Sequence, residues 1–319
     1  MEIKPKEFCI FVASHISKSN RINYLIECLQ SLIHQQMKIP IYLSISFENL
    51  ELQNECKTEF IKLNKICSFL NIIIQNEKTP QMKHYKFLLN MYGKNHKWIM
   101  FCDDDDTYSQ ERTYHFSYFI EKALLELENT ETKLAGLYES LDKNHKLQRQ
   151  EYWTYCVSTE IFQTFYNVLE NYDDIINNKC CDVLFGEYLR RKENNFYFFQ
   201  IKKRYYNYRV DENTDSITGY ISSKQGNYTV NSTPPPKGTE ERKEYEKNWE
   251  SFIMENLHIF LHDTYLKTLV GYDFHKIMQT EFFDNSELLD SINGEPKERL
   301  TNLHNRLLEV CNQLYDTKL

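Results

Sequence analysis

Apolar and polar positions along the first hundred residues fall into blocks whose period switches between strand-like and helix-like. Phe8 to Ala13 (FCIFVA) is a continuous apolar run too short for a helix and predicts a buried strand. Ser14 to Asn20 is polar and predicts a loop. Ile22, Leu25, Ile26, Leu29, Leu32 and Ile33 then recur at three- and four-residue spacings, the stripe of an amphipathic helix. Ile41 to Phe47 predicts a second strand. Leu52, Cys56, Phe60, Leu63, Cys67 and Leu70 mark a second helix, and Asn71 to Gln75 a third strand. A third helix follows Pro80 with Met82, Tyr85, Leu88, Leu89 and Tyr92, and Trp98 to Cys102 predicts a fourth strand. Strand alternating with helix in this way implies crossover units and an α/β fold with a mostly parallel sheet flanked by helices.

The later pattern is less regular. Phe116, Phe119, Ile120, Leu124 and Leu125 predict a helix, Lys133 to Tyr138 a strand, and Glu151 to Tyr155 is an aromatic stretch. Glu160 to Leu169 and Cys181 to Arg191 read as helices, and Phe196 to Ile201 as a strand. Ser222 to Gly238 is polar and proline-rich, the composition of a loop. Beyond it Glu240 to Leu269 and Pro296 to Leu314 are helical, the last with Leu300, Leu303, Leu307, Cys311 and Leu314 on one face. The expected organisation is an α/β domain over 1–220, a proline-rich loop over 221–239, and a C-terminal helical extension over 240–319 packed on the first domain.

Candidate chemistry centres on the fourth strand, which runs straight into Asp103, Asp104, Asp105 and Asp106. Carboxyl ends of strands in open α/β sheets are where ligands bind. In an extended strand Asp103 and Asp105 would share one side, and Asp104 and Asp106 the other. Four adjacent carboxylates need solvation or neutralisation. A hard divalent cation neutralises them, keeping positions for substrate phosphates. A solvated acidic turn is the plainer reading of any charge run; the buried strand before this one favours a site.

Composition narrows the classes. The chain of 319 residues can bury a large core without disulfides, and its net charge of -8 argues against a nucleic-acid partner. Its 23 Tyr, 20 Phe and 3 Trp suit a cleft that stacks on polyhydroxylated ligands, and equally suit half-buried surfaces. Nine cysteines, an odd number irregularly spaced, include several inside apolar patterns (Cys9, Cys28, Cys102, Cys311), as expected of free thiols in a reducing compartment. No apolar run reaches the roughly 18 residues of a membrane span, and Phe8 to Ala13 is too short for a signal peptide. A soluble, cytoplasmic protein is expected. With only 8 Gly, the chain contains neither G-x-G-x-x-G nor G-x-x-x-x-G-K-[ST], so any diphosphate would have to be held by a metal.

Four segments in order resemble a GT-A glycosyltransferase of the family 2 type. RINYLIECLQSLIHQ, Arg21 to Gln35, is similar to the family's first helix, R-x-x-x-L-x-x-C-L-x-S-L-x-x-Q. FCDDDD resembles its DXD motif at a strand end. Cys181-Asp182 lies where an E-D-x-x-L-like element carries the acidic base, and YRVDENTDSIT, Tyr208 to Thr218, resembles its Y-R-x-H-x-x-S segment. The chain departs from the pattern at Phe47-Glu48-Asn49, at Cys181 in place of Glu, and at Asp211 in place of the histidine. The resemblance covers about the first 220 positions. It implies a metal-dependent transferase moving a sugar from a nucleotide-sugar donor, a UDP-sugar, to a glycan or other hydroxyl acceptor with inversion.

Residue by residue, it implies Asp182 as general base, Asp105 and Asp211 as ligands of Mn²⁺ or Mg²⁺, and Asp103 and Asp104 on the donor nucleotide. Ala13, Ser14 and Glu48 at strand ends would face the nucleoside, and Lys83 would reach base or phosphate. Trp153 and Glu187 are expected on the acceptor side, and Glu187 and Glu160 are rivals of Asp182. Asp182 taken alone also reads as an acid placed favourably at a helix N-terminus. Two other classes stay open. Asp103-x-Asp105-x-Thr107 also resembles the nucleophile loop of haloacid-dehalogenase-like phosphatases, although no Gly-Asp pair occurs in the chain. A catalytically silent nucleotide-sugar-binding module is the other. His258 and His262, four apart, read as ordinary helix histidines.

Overall fold

The computed structural model describes residues 4–140, 151–178, 181–192, 196–209, 235–255 and 294–315. They divide into two compact units, Met1–Arg209 and Val210–Leu319. The first unit contains β1 (Phe8–Ile16), α1 (Ser19–Ile33), β2 (Ile41–Phe47), α2 (Leu50–Ile66), β3 (Leu70–Ile74), α3 (Gln81–Tyr92), β4 (Trp98–Asp103) and β5 (Thr107–Tyr108). It continues through α4 (Arg112–Leu127), β6 (Leu134–Glu139), β7 (Tyr155–Ser158), α5 (Thr159–Val168), α6 (Asp173–Ile176), α7 (Cys181–Lys192), β8 (Tyr197–Ile201) and β9 (Tyr206–Asn207).

Seven strands form one sheet in the order β3-β2-β1-β4-β7-β6-β8. The pairs β3·β2, β2·β1, β1·β4 and β6·β8 are parallel, and β7 runs antiparallel to both of its neighbours. The fold is therefore α/β with a mixed, mostly parallel sheet flanked by helices, as the alternation of periods predicts. β1 and the apolar part of β4 are buried almost throughout, as expected for strands covered on both faces. Local chemistry places the helix starts: the Asn49 side chain accepts the Leu52 N–H at 3.0 Å to open α2, and Ser158 accepts that of Ile161 at 3.3 Å to open α5.

The structure differs from the sequence reading in four places. The predicted loop at Ser14 is still strand, because Ser14, His15 and Ile16 continue the parallel ladder against Ile45, Ser46 and Phe47. Leu70 belongs to β3 rather than α2, pairing with Ile41. The aromatic stretch leads into β7, a strand that the pattern does not reveal, since it is short and buried on both sides. β5 and β9 form a separate two-stranded ribbon. Gly136 sits where β6 shifts register, and a Cβ there would come within 2.2 Å of the Cys156 carbonyl oxygen.

Phe101 on β4 anchors the aromatic core. Its ring meets Tyr85 of α3, Phe162 of α5, Phe185 of α7 and Tyr152 at centroid distances of 5.4, 5.0, 5.5 and 5.8 Å, all near edge-on. Cys9, Cys28, Cys56, Cys67, Cys102, Cys156, Cys181 and Cys311 are free and buried, in line with the expected thiols; Cys180 lies outside the described residues.

In the second unit, α8 (Glu240–Glu255) and α9 (Glu295–Tyr315) contact one another. Arg242 is buried and pairs with Glu246 one turn on at 2.7 Å, and Val310, Cys311 and Leu314 are buried on α9. The remainder of the helix expected to Leu269 lies outside the described residues, together with His258 and His262. Among the described residues no helix is long and apolar enough to cross a membrane.

Candidate active site at the end of the central strand

β4 ends at Asp103 and the chain turns at once, the Asp106 N–H bonding to the Asp103 carbonyl at 3.2 Å. The strand geometry expected for the four aspartates therefore stops at the first of them. Burial nevertheless alternates: Asp104 and Asp106 are 7% and 1% exposed, while Asp103 and Asp105 are half-buried.

Each carboxylate has its own partners. Asp104 accepts from Ser14 Oγ at 2.6 Å and from the Arg21 guanidinium. Arg21 Nη1 also lies 3.6 Å from Asp105. Asp106 accepts from the Tyr206 hydroxyl at 2.8 Å and from the Arg209 backbone N–H at 2.7 Å. Asp103 Oδ1 accepts from the Tyr152 hydroxyl and from Gln81 Nε2, the latter at 2.9 Å.

These partners do not offset the crowding of charge. Burial pushes the Asp103 carboxyl well above its usual range, and Asp106 and Asp105 push it further. Burial raises Asp104 to about 6 against the pull of Arg21, and raises Asp106 to about 7 with help from Asp105. A site whose carboxylates resist ionisation to this degree is short of positive charge. Oxygen-only donors are what a hard cation takes. Among the described residues no group of three acids, histidines or cysteines forms a cation cage.

Asp182 comes to this turn through α7. Phe185, one turn further on the same helix face, packs on Phe101, Phe162 and Phe165. Phe101 lies two residues before Asp103 on the same side of β4. At Gly186 the helix runs beside Tyr152, whose backbone nitrogen would be in ordinary contact, 3.6 Å, with a Cβ there. Asp182 is half-buried, and its charge acts on both Asp103 and Tyr152, raising the pKa of each.

The other expected residues divide. Ala13 pairs with Asp103 across β1 and β4, and Ser14 holds Asp104. Glu48 lies at the end of β2, bonded to His15 Nε2 at 3.0 Å and to Lys78 at 2.9 Å. Lys83 is exposed on α3, 4.0 Å from Glu77. The Trp153 ring is covered by Tyr206 and Tyr208, at 4.3 and 5.3 Å between centroids, and of the three Tyr208 presents the exposed face. Glu187 is buried in ion pairs with Arg190 and Arg191 on its own helix, and Glu160 is exposed near Lys133. Asp211 lies outside the described residues.

Gln81, Tyr152 and Tyr206 complete the site; Tyr152 falls in the aromatic stretch Glu151 to Tyr155, while no motif marks Gln81 or Tyr206 as a site residue. Arg21 carries a signal in retrospect, as the arginine opening the first helix segment.

No protein-family model and no curated protein matches the chain. Among solved structures, the crystal structure of S. aureus TarS is similar with a TM-score of 0.42 and 12% identity, covering 98% of this chain and 54% of that one. This chain thus spans about half the length of that protein. The crystal structure of S. aureus TarS 1-349 is similar with a TM-score of 0.39 and 13% identity, covering 91% of this chain and 93% of that one. A likeness of that depth carries no chemistry from one protein to the other.

Proposed function

We propose that this chain is a GT-A-type glycosyltransferase that moves a sugar from a nucleoside-diphosphate donor, a UDP-sugar, to an acceptor hydroxyl. The observation that carries the reading is the carboxylate turn at the end of the central parallel strand, with Asp182 brought to it by α7. The acceptor oxygen forms the new bond to the anomeric carbon as the bond to the diphosphate breaks. A single in-line displacement inverts the anomeric centre. Asp182 takes the acceptor proton as that bond forms. Asp105 would hold Mn²⁺ or Mg²⁺, which when bound supplies positive charge to the leaving diphosphate; Asp211, the second ligand expected from the sequence, lies outside the described residues. Ser14 and Arg21 fix Asp104, and Tyr152 and Gln81 fix Asp103, so the turn is built before donor arrives.

The test is a thermal-shift panel of nucleotide sugars with and without Mn²⁺. A donor at a hundred times its dissociation constant stabilises by about 2.7 kcal/mol, a rise of about 5–10 °C for a domain of this size. Asp105→Ala should lose the Mn²⁺-dependent part of the rise. An unchanged metal dependence in that variant removes the aspartate turn from the site. Donor binding with neither transfer nor hydrolysis would instead identify a binding module.

A further inference from the structure

The Tyr206 hydroxyl touches both ends of the aspartate turn. It accepts the Asp103 backbone N–H at 3.0 Å and donates to Asp106 Oδ2 at 2.8 Å. Asp103 opens the turn and Asp106 closes it, so one oxygen ties the two ends across the residues that carry Asp104 and Asp105. Tyr206 is itself wholly buried and stacks on Trp153 at 4.3 Å.

Its backbone is held from beneath by an ion pair with no solvent exposure, Arg112 Nη2 to Glu139 Oε1 at 2.8 Å. Glu139 Oε2 accepts the backbone N–H groups of both Tyr205 and Tyr206, the second at 3.1 Å. Arg112 Nη2 also donates to the Trp153 carbonyl at 2.8 Å, and its guanidinium lies 4.0 Å from the Tyr108 ring and 5.0 Å from the Tyr206 ring. A buried ion pair costs desolvation and is weak evidence of stability by itself. This one addresses the backbone amides of Tyr205 and Tyr206, where the chain enters the two-residue strand β9, which among the described residues pairs with the two-residue β5. So short a ribbon needs an outside anchor.

We propose that Tyr206 is a positioning residue that clasps the aspartate turn, with the buried Arg112–Glu139 pair as its anchor. Its consequence for metal and diphosphate rests on the function proposed above; its consequence for the turn does not. Without the hydroxyl, Asp103 N–H and Asp106 Oδ2 lose a shared partner, the turn opens, and Asp105 is no longer held in place for a cation.

The experiment compares Tyr206→Phe with Tyr166→Phe, which deletes another buried hydroxyl, one that donates at 2.6 Å to the Met82 carbonyl on α3 and not to the turn itself. Backbone hydrogen exchange is read on the apo protein over peptides spanning 102–107. Tyr206→Phe should speed exchange there about tenfold and leave the rest of the sheet unchanged, the scale expected for one buried hydrogen bond left unmade. Tyr166→Phe should leave those peptides alone. Unchanged exchange at the turn in Tyr206→Phe, or the same acceleration in both variants, overturns the clasp. In a second arm, Mn²⁺ is titrated with UDP. Tyr206→Phe should raise the Mn²⁺ midpoint about tenfold with its thermal midpoint near wild type. An unchanged Mn²⁺ midpoint where wild type responds overturns the clasp's role in binding. No response from wild type counts against the proposed function alone, and the exchange arm then decides the clasp.

Discussion

Asp182 has two physical roles open to a carboxylate in the first turn of a helix: accepting a proton, or complementing the positive end of the helix. Asp182→Asn separates them, because losing a charge from the first turn of a helix costs only about 0.3–1 kcal/mol of stability, whereas the amide cannot take the proton at all. Transfer at saturating donor and acceptor should fall about 10²–10⁴-fold while donor binding persists. Near wild-type turnover would leave Asp182 a helix residue and turn attention to Glu151, the acid close to Gly186. His84 gives a second residue-scale test. It is buried between Ser44 and Ser46, at 2.8 and 3.3 Å, and burial, then His15, lowers its pKa to about 4. Its folded pKa lies below its unfolded one, so the stability it contributes is present above pH 6.5 and lost as pH falls toward 4. The full loss is about 3 kcal/mol. His84→Gln should lack this component, so the stability gap between the two proteins should change by that amount across the window in urea titrations. A gap independent of pH would mean that His84 takes up its proton as readily in the folded protein as in the unfolded chain.

At the scale of elements, the site depends on how closely neighbours approach. β6 reaches β7 only because Gly136 has no side chain, and the β6 end then delivers Glu139 to Tyr205 and Tyr206. Gly136→Ala forces backbone to move by a large fraction of an ångström and should cost about 1–3 kcal/mol, read as a lower urea midpoint with unchanged slope. A variant as stable as wild type would show that the shifted register there has slack. α7 is set by Phe185 on the aromatic core, and this is what converts an acid on a helix into an acid beside Asp103. The sequence shows a helix over Cys181 to Arg191 with its first-turn aspartate, and the structure carries it one residue further, to Lys192. It does not show β7, which is short and antiparallel, nor the β5·β9 ribbon, whose two-residue strands have no period to read.

At the scale of the molecule, the sheet order puts β4 between β1 and β7 and opens its carboxyl end beside that of β1. A phosphatase would need Asp103 as a nucleophile. Its carboxylate instead accepts hydrogen bonds from Tyr152 and Gln81, which weaken nucleophilic attack. The α/β class, the parallel half of the sheet and the acidic strand end follow from the sequence by itself. Buried parallel strands and amphipathic helices write their period into consecutive residues, and four aspartates after an apolar run can hardly be placed elsewhere. Which carboxylates are spent on structure was decided only in three dimensions. Asp104 is committed to Ser14 and Arg21, Asp106 to Tyr206 and Arg209, and Glu187 to its own helix's arginines. The partners of Asp104 and Asp106 lie 83 to 103 positions away and meet the turn through packing, whereas those of Glu187 lie on its own helix. A carboxylate's chemistry is set by burial and by the donors that reach it, and neither is a property of its place in the chain.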